Sequence, residues 1–227
     1  MSDPRDAFIH RVTGGCSFAD VGGLWMTVNE KVSVAARAGA TRLAMLDLSP
    51  PESPWWPPFR DRMASMGIDA VAERSVDIAA YRDEPFDVVH CSGVLYHHPN
   101  PITVLTGLRR ATRRHLVLTS AVTQSVISNE CGTCTVPRSG AIFIPALDDT
   151  ERRVLACHWQ RLGGGMQGIT EVASHRIGAD NTFDAGPWWW LPTSRCLTAM
   201  AEAAGFRLLD EAPTWGGNAH VALLECA

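Results

Sequence analysis

The residues best placed to do chemistry stand at the ends of two short apolar runs. Ser17-Phe18-Ala19 leads into Asp20, and Val21-Gly22-Gly23 follows as a tight turn before a helix expected to open near Thr27. A second run, Leu43 to Leu46, also ends in an acid, Asp47, followed by Leu48. Acids and glycines so spaced build a nucleoside pocket at the carboxyl edge of a parallel sheet. The charge of Asp20 narrows the ligand. A turn that cradles a pyrophosphate would be opposed by a carboxylate at the strand end, so a dinucleotide fits poorly. A cationic nucleoside fits well, and S-adenosylmethionine, with an ammonium, a sulfonium and no phosphate, answers that description.

Such residues need a scaffold, and the chain supplies one by alternation. Apolar runs at 17–21, 42–47, 69–72, 86–91 and 115–119 are separated by helical stretches at 27–38, 59–66, 78–81 and 101–111. This rhythm predicts βαβ units, an α/β class and a mostly parallel sheet. Gly39 stands where the first helix needs a left-handed terminator. Pro50, Pro51, Pro54, Pro57 and Pro58 stiffen the loop after the second strand. From Val122 to Pro187 the rhythm breaks. That stretch is rich in Gly, Ser, Thr and Asn, with a strand expected at 141–145 and a helix at 149–160. Its Phe143, Ile144 and Trp159 are buried-type residues, so an ordered lid inserted over the sheet edge is expected. Thr193 then caps a helix at 194–204, Gly205 ends it, and strands at 206–210 and 220–225 complete one domain spanning 1–227 with 122–187 as its substrate-side lid.

The order of elements and three phrases resemble the class I S-adenosylmethionine-dependent methyltransferases. The phrases are Ala19-Asp20-Val21-Gly22-Gly23, Asp47-Leu48, and Phe86-Asp87-Val88-Val89-His90-Cys91-Ser92-Gly93-Val94-Leu95-Tyr96-His97-His98. The likeness covers residues 16–121 and the final helix and strand pair. Pro99-Asn100-Pro101 and Trp190-Leu191-Pro192-Thr193, with Ala204-Gly205-Phe206, resemble the branch holding the wobble-uridine tRNA modifying enzyme and its small-molecule relatives. The resemblance implies a doubly wound, Rossmann-like seven-stranded sheet with an antiparallel last strand, and a lid inserted after the fifth strand. It also implies roles. Asp20, with the backbone of Val21, Gly22 and Gly23, would hold the methionine end, where glycine permits close approach. Asp47 and Leu48 would take the ribose, the carboxylate accepting from both hydroxyls. Asp77 and Ile78 would meet the adenine, and Cys91 and Ser92 would line the floor beneath the sulfonium. Leu24 and Met26, either side of Trp25, stand where the family has further glycines.

Methyl transfer from a sulfonium is an in-line displacement that asks the protein for alignment and exclusion of water. A base is needed only when the acceptor must lose a proton. His97 and His98, just past the fourth strand, are candidates for that base, although taken singly His97 better suits packing and His98 a solvated surface. Tyr96, Trp188, Trp189 and Trp190 are candidate walls for an apolar, aromatic or cationic acceptor, and the tryptophans would serve as filler between lid and sheet just as readily. Glu130, His158, His175 and Asp180 add polar groups that spacing does not separate. Cys131-Gly132-Thr133-Cys134 suggests a redox pair or, with Cys157 and His158, a zinc site. In a lid loop, without a second close pair, these read as reduced loop cysteines, and no metal is expected.

Bulk properties bound the rest. With 227 residues, 46% of them hydrophobic, the chain can bury a sizeable core. A formal charge of −4 gives no general pull toward nucleic acid, and the dense cluster Arg109, Arg110, Arg113 and Arg114 suits a solvated helix end. Bilayer-length apolar runs and a signal-peptide core are absent, and the odd, scattered cysteines do not form a secreted framework, so the cytoplasm is the expected location. The expected function is transfer of a methyl group from S-adenosylmethionine to an O, N or S atom of a small molecule. The alternatives are tRNA modification and a cofactor-binding partner without catalysis.

Overall fold

In the computed structural model, which describes residues 3–25, 27, 29–163, 167–170, 175–180 and 182–227, the alternation becomes one layered sheet. The elements begin α1 (Pro4–Thr13), β1 (Ser17–Val21), α2 (Val32–Arg37), β2 (Arg42–Asp47), α3 (Trp56–Ser65) and β3 (Val71–Ser75). They continue with β4 (Phe86–Ser92), α4 (Pro101–Ala111) and β5 (Thr112–Ala121). An insertion follows, with β6 (Val126–Asn129), β7 (Gly132–Thr135), β8 (Ala141–Phe143), α5 (Asp149–Arg161), α6 (Gln167–Thr170) and β9 (Trp190–Pro192). The chain closes with α7 (Ser194–Ala203), β10 (Phe206–Thr214) and β11 (Ala219–Cys226).

The seven-stranded sheet has the order β10-β11-β5-β4-β1-β2-β3. Strands β3, β2, β1, β4 and β5 are parallel, and the last strand, β11, is antiparallel to both its neighbours. This is the fold the sequence predicts. Strand β1 is buried along its whole length because helices cover both its faces, which is why it reads as a continuous apolar run. Its Ala19 and Val21 pack with α4 and α7, whereas Phe18 packs with α1, α2 and α3. The order reverses between β1 and β4, and a crevice for ligands opens outside the strand ends at such a switch point.

Several boundaries differ from expectation. Helix α2 opens at Val32 rather than Thr27, because Thr27 and Glu30 close tight turns, Thr27 N on Leu24 O and Glu30 N on Thr27 O, before the helix begins. Strand β3 runs over Val71–Ser75 rather than 69–72, in register with Leu43–Asp47 of β2. The stretch at 78–81 is a short 3-10 turn, Ile78–Ala80. The strand expected at 141–145 stops at Phe143, where Ile144–Ala146 forms another 3-10 turn and Pro145 has no N–H for a ladder. Helix α1, the β6–β7 hairpin and β9 were not expected.

The insertion is ordered and has its own core. Ile127, Cys134, Ile142, Ile144, Val154, Leu155 and Trp159 pack together and against Tyr96 and Ala121 of the main sheet's edge. Asp148 starts α5 with a capping box, accepting from Thr150 N and Glu151 N while Glu151 accepts from Asp148 N. Buried Arg152 ties the layer together by donating to the carbonyls of Ile144, Leu147 and Ile169. Among the described residues no helix is long and apolar enough to cross a membrane.

Candidate functional site at the carboxyl edge of the sheet

Strand β1 delivers Asp20 to the switch point, but the carboxylate points inward. It is fully buried, with Oδ1 2.7 Å from Nδ1 of buried His90 on β4 and Oδ2 accepting from Lys31 N at 2.6 Å. Each carboxylate oxygen of Asp20 is thus engaged by a group of this chain, and Asp20 fixes the loop around which the expected methionine-end contacts would form. A second buried acid works beside it. Glu30 accepts from Ser33 N at 2.9 Å, from Ser33 Oγ at 2.6 Å and from Arg62 Nε at 2.8 Å. Two N–H groups at the start of α2, those of Lys31 and Ser33, are thus held by carboxylates, and the negative charge of Asp20 and Glu30 there disfavours a pyrophosphate.

The glycine turn is sterically required. Gly22 has φ +76°, and a Cβ there would lie 2.3 Å from Val94 Cγ2; a Cβ on Gly23 would lie 2.4 Å from Asp20 Oδ2. Leu24 stands in place of a further glycine because its side chain is a core residue against α1–α3. Trp25 is 63% exposed and meets Trp55 edge-on at 6.4 Å. Met26 lies outside the described residues. Thr27 holds φ 59°, an unusual conformation for a β-branched residue, and its buried hydroxyl has no partner among the described residues.

Strand β2 ends at Asp47, which is half-buried. Its Oδ1 accepts from Ser49 N at 2.9 Å and Oδ2 makes only a long 3.4 Å contact with Leu24 N. Beside it Leu48 is 57% exposed. Asp77 is exposed and caps its own turn through Ala79 N at 2.8 Å, over a buried Ile78. On β4, Cys91 and Ser92 are buried, and burial together with the charge of Asp20 pushes the Cys91 thiol well above its usual range. The turn at Val21–Gly23, Asp47–Leu48, Asp77–Ile78 and Cys91–Ser92 all lie at the carboxyl ends of neighbouring strands.

The residues past β4 are sorted by their hydrogen bonds. His97 has Nδ1 3.1 Å from Pro187 O, and burial lowers its pKa. His98 accepts from Asn100 N through Nδ1 at 2.9 Å, and burial lowers its pKa as well. A neutral His98 therefore carries its proton on Nε2 and has no free lone pair, which removes it as a base. Tyr96 is buried, and that burial raises its phenol pKa. Trp188 packs on Tyr96 at 4.9 Å, on Trp159 at 4.8 Å and near His97 at 6.3 Å. Trp189 donates its backbone N–H to Tyr96 O, while Trp190 donates Nε1 to Pro99 O and lies tilted against Phe143 at 4.6 Å. The tryptophans fill the seam between insertion and sheet, and Trp188 alone of the three pairs with the His97 ring.

The polar candidates of the insertion do not converge. His158 meets Asn218, His175 meets Trp188 O, Asp180 turns back to Thr182, and Glu130 pairs with Arg161. Cys134 sits on β7 and faces the insertion's core, whereas Cys131 lies beside Cys157 and Glu130. The four-ligand zinc set weighed from the sequence does not assemble. The arginine cluster sits at an exposed helix end, as expected, with each guanidinium also holding a group of this chain. Arg109 donates to Gly205 O, Arg110 to Tyr81 O and Ala79 O, Arg113 pairs with Asp87, and Arg114 contacts Cys16.

No protein-family model matches this chain, and no curated protein sequence matches it. Solved structures do. A 1,6-didemethyltoxoflavin N1-methyltransferase of Burkholderia thailandensis, with its acceptor and S-adenosylhomocysteine bound, superposes with TM-score 0.57 at 15% identity, over 99% of this chain and 77% of that one. The magnesium protoporphyrin IX methyltransferase of Synechocystis PCC 6803, with S-adenosylhomocysteine, gives 0.57 at 12% identity over 99% and 82%. A glycopeptide N-methyltransferase, also with S-adenosylhomocysteine, gives 0.59 at 11% identity over 99% and 89%. The chain has the fold of these methyltransferases. At such identities the likeness reaches the fold alone, and the site rests on its own residues. Of those, Glu30, Lys31 and His90 escape a reading by motif. Their one sequence signal is polarity in places where the neighbouring pattern is apolar or glycine-rich.

Proposed function

We propose that this chain binds S-adenosylmethionine at the ends of β1, β2 and β4 and transfers its methyl group to an O, N or S atom of a small molecule. The observation that carries the reading is the Asp47–Leu48 corner beside the Gly22–Gly23 turn. There a half-buried carboxylate keeps lone pairs for a ribose diol, and an exposed leucine offers an apolar face to a base. The Thr27 hydroxyl, without a partner among the described residues, and the acids at the start of α2 favour a polar, phosphate-free ligand. The S-adenosylhomocysteine held by the three neighbours of like fold supports the same ligand.

When bound, the cofactor supplies a methyl group already activated by its sulfonium. The chain's part is to align the acceptor and exclude water. Cys91 stays a thiol at neutral pH, so it lines the floor and does not compete for the methyl group. His97, kept neutral by burial and anchored through Nδ1 on Pro187 O, leaves Nε2 to take a proton from an O–H, N–H or S–H acceptor. Arg109, Arg110 and Arg113 each already hold a carbonyl or carboxylate of this chain, which favours a small acceptor over a polyanion. Parallel calorimetric titrations test the reading. S-adenosylhomocysteine should saturate the protein and NADH should give no heat of binding; the reverse outcome overturns the proposal.

A further inference from the structure

A second polar concavity lies on the same sheet edge, displaced toward β11. It has a volume of about 230 Å³ and is lined by Gln124 and Ser125 after β5, Arg138 of the insertion, Ser194 and Arg195 of α7, and His220 of β11. That is below the ~300–1,000 Å³ of sites that enclose a whole drug-sized ligand, so it suits one functional group of a larger molecule. Its charge is one-sided. Among the described residues neither Arg138 nor Arg195 makes a side-chain hydrogen bond or ion pair, and no carboxylate lines the space. The acid next to it, Glu211, is taken by His220 Nε2 at 2.9 Å and by Thr198 Oγ1 at 3.4 Å.

The arrangement is built into the fold. Thr193 donates Oγ1 to Arg138 O and N–H to Gly140 O at 3.0 Å, and its hydroxyl accepts from Cys196 N at 3.1 Å. One residue thereby fixes the segments that carry both guanidinium groups. Like charges gathered in one concavity repel each other until an anion joins them. Register locates the place relative to the chemistry. Ser92 at the end of β4 pairs with Thr119 of β5, and Ala121 of β5 pairs with Ala219 of β11. The cavity therefore lies one to two strand spacings across and two to three residues farther along the strands from the proposed methyl-transfer floor, roughly 10 Å in all.

We propose that this cavity binds an oxyanion of the acceptor, a carboxylate or a phosphate, and anchors the acceptor with its reacting atom over Cys91 and Ser92. This rests on the methyltransferase reading for the word acceptor, whereas the anion chemistry of the cavity is independent of it. The acceptor class is then a small anionic metabolite with O–H, N–H or S–H roughly 10 Å from its acid group.

Nitrogen-15 NMR titration of the full chain with inorganic phosphate and, separately, with succinate tests this. Both probes distinguish the two oxyanion sources by relative affinity. The expected result is saturable shifts at the amides of Gln124, Ser125 and Arg195. In the double variant Arg138→Gln, Arg195→Gln the affinity should fall at least about tenfold, since each guanidinium gives charge-assisted hydrogen bonds. S-adenosylhomocysteine affinity, measured alongside by calorimetry, should be equal in the two proteins. Unchanged phosphate and succinate affinity in the double variant overturns the proposal, as does the absence of saturable shifts at those amides. An RNA oligonucleotide that shifts them when neither small anion does overturns it as well. Failure of the wild-type protein to bind S-adenosylhomocysteine would instead overturn the methyltransferase reading and leave the anion site standing.

Discussion

Asp20, His90 and Gly23 form one interlocked unit at the end of β1. Replacing His90 with Phe leaves Asp20 Oδ1 buried without a partner, which costs about 1–3 kcal/mol. Urea unfolding should read that loss; a change under about 0.5 kcal/mol, the scale of an ordinary surface substitution, would show that the contact contributes nothing to stability. Gly23→Ala drives a Cβ to within 2.4 Å of Asp20 Oδ2 and should cost about 1–3 kcal/mol through overpacking, with S-adenosylhomocysteine affinity falling in step. The sequence shows Asp20 as a site position because the acid–glycine spacing is local. Its partner is invisible to any local pattern: His90 lies 70 residues away and meets Asp20 only when β1 and β4 pair. Asp47 is legible in place and in character, since its side chain stays open to the edge.

Elements set how closely these residues approach. Helix α4 crosses the Ile78–Ala80 turn at Gly107, where an added Cβ would lie 1.9 Å from Ile78 O. A Gly→Ala change in an open helix interior stabilises by roughly 0.5–1 kcal/mol, so the sign should reverse here, with destabilisation of about 1–3 kcal/mol and weaker S-adenosylhomocysteine binding. Thermal unfolding with and without the ligand would show both effects. Strands β1 and β4 are clasped at their other end by Asp87, which accepts from Ser17 Oγ at 2.7 Å and Ser17 N at 2.9 Å. Those hydrogen bonds, helped by Arg113 and opposed by burial, lower the Asp87 pKa from 3.8 to about 2. The folded state thus favours the ionised acid. Its contribution is complete above the unfolded value and is lost as pH falls from 3.8 toward about 2. Asp87→Asn should flatten the acid limb of the stability profile in that window, as urea midpoints across it would show. The buried strands were legible because both faces are covered and the run is continuously apolar. Helix α1 was not, because it is held by a net of ions (Lys31 to Asp3 and Asp6, Arg5 to Asp3) as well as by an apolar face. Strands β6, β7 and β9 are short and exist through pairing within the insertion, which leaves little period to read.

At the scale of the whole molecule, the doubly wound sheet gathers the glycine turn, Asp47, Asp77 and Cys91–Ser92 along one edge, and beside it Trp188 packs on both Tyr96 and Trp159. Fold class and edge were readable because strand order follows from alternation and switch-point position from topology. The acceptor side was not readable, because Arg138 and Arg195 are brought together by Thr193 across a stretch with no period of its own. The central claim is that this edge binds S-adenosylmethionine through Asp47. It is tested most directly by calorimetric titration of S-adenosylhomocysteine into the wild-type protein and Asp47→Asn. The account predicts saturable binding by the wild type and affinity lower by at least about tenfold in the variant, whose unfolding midpoint stays near that of the wild type. Equal affinity in the two proteins, or no binding by the wild type, would contradict it.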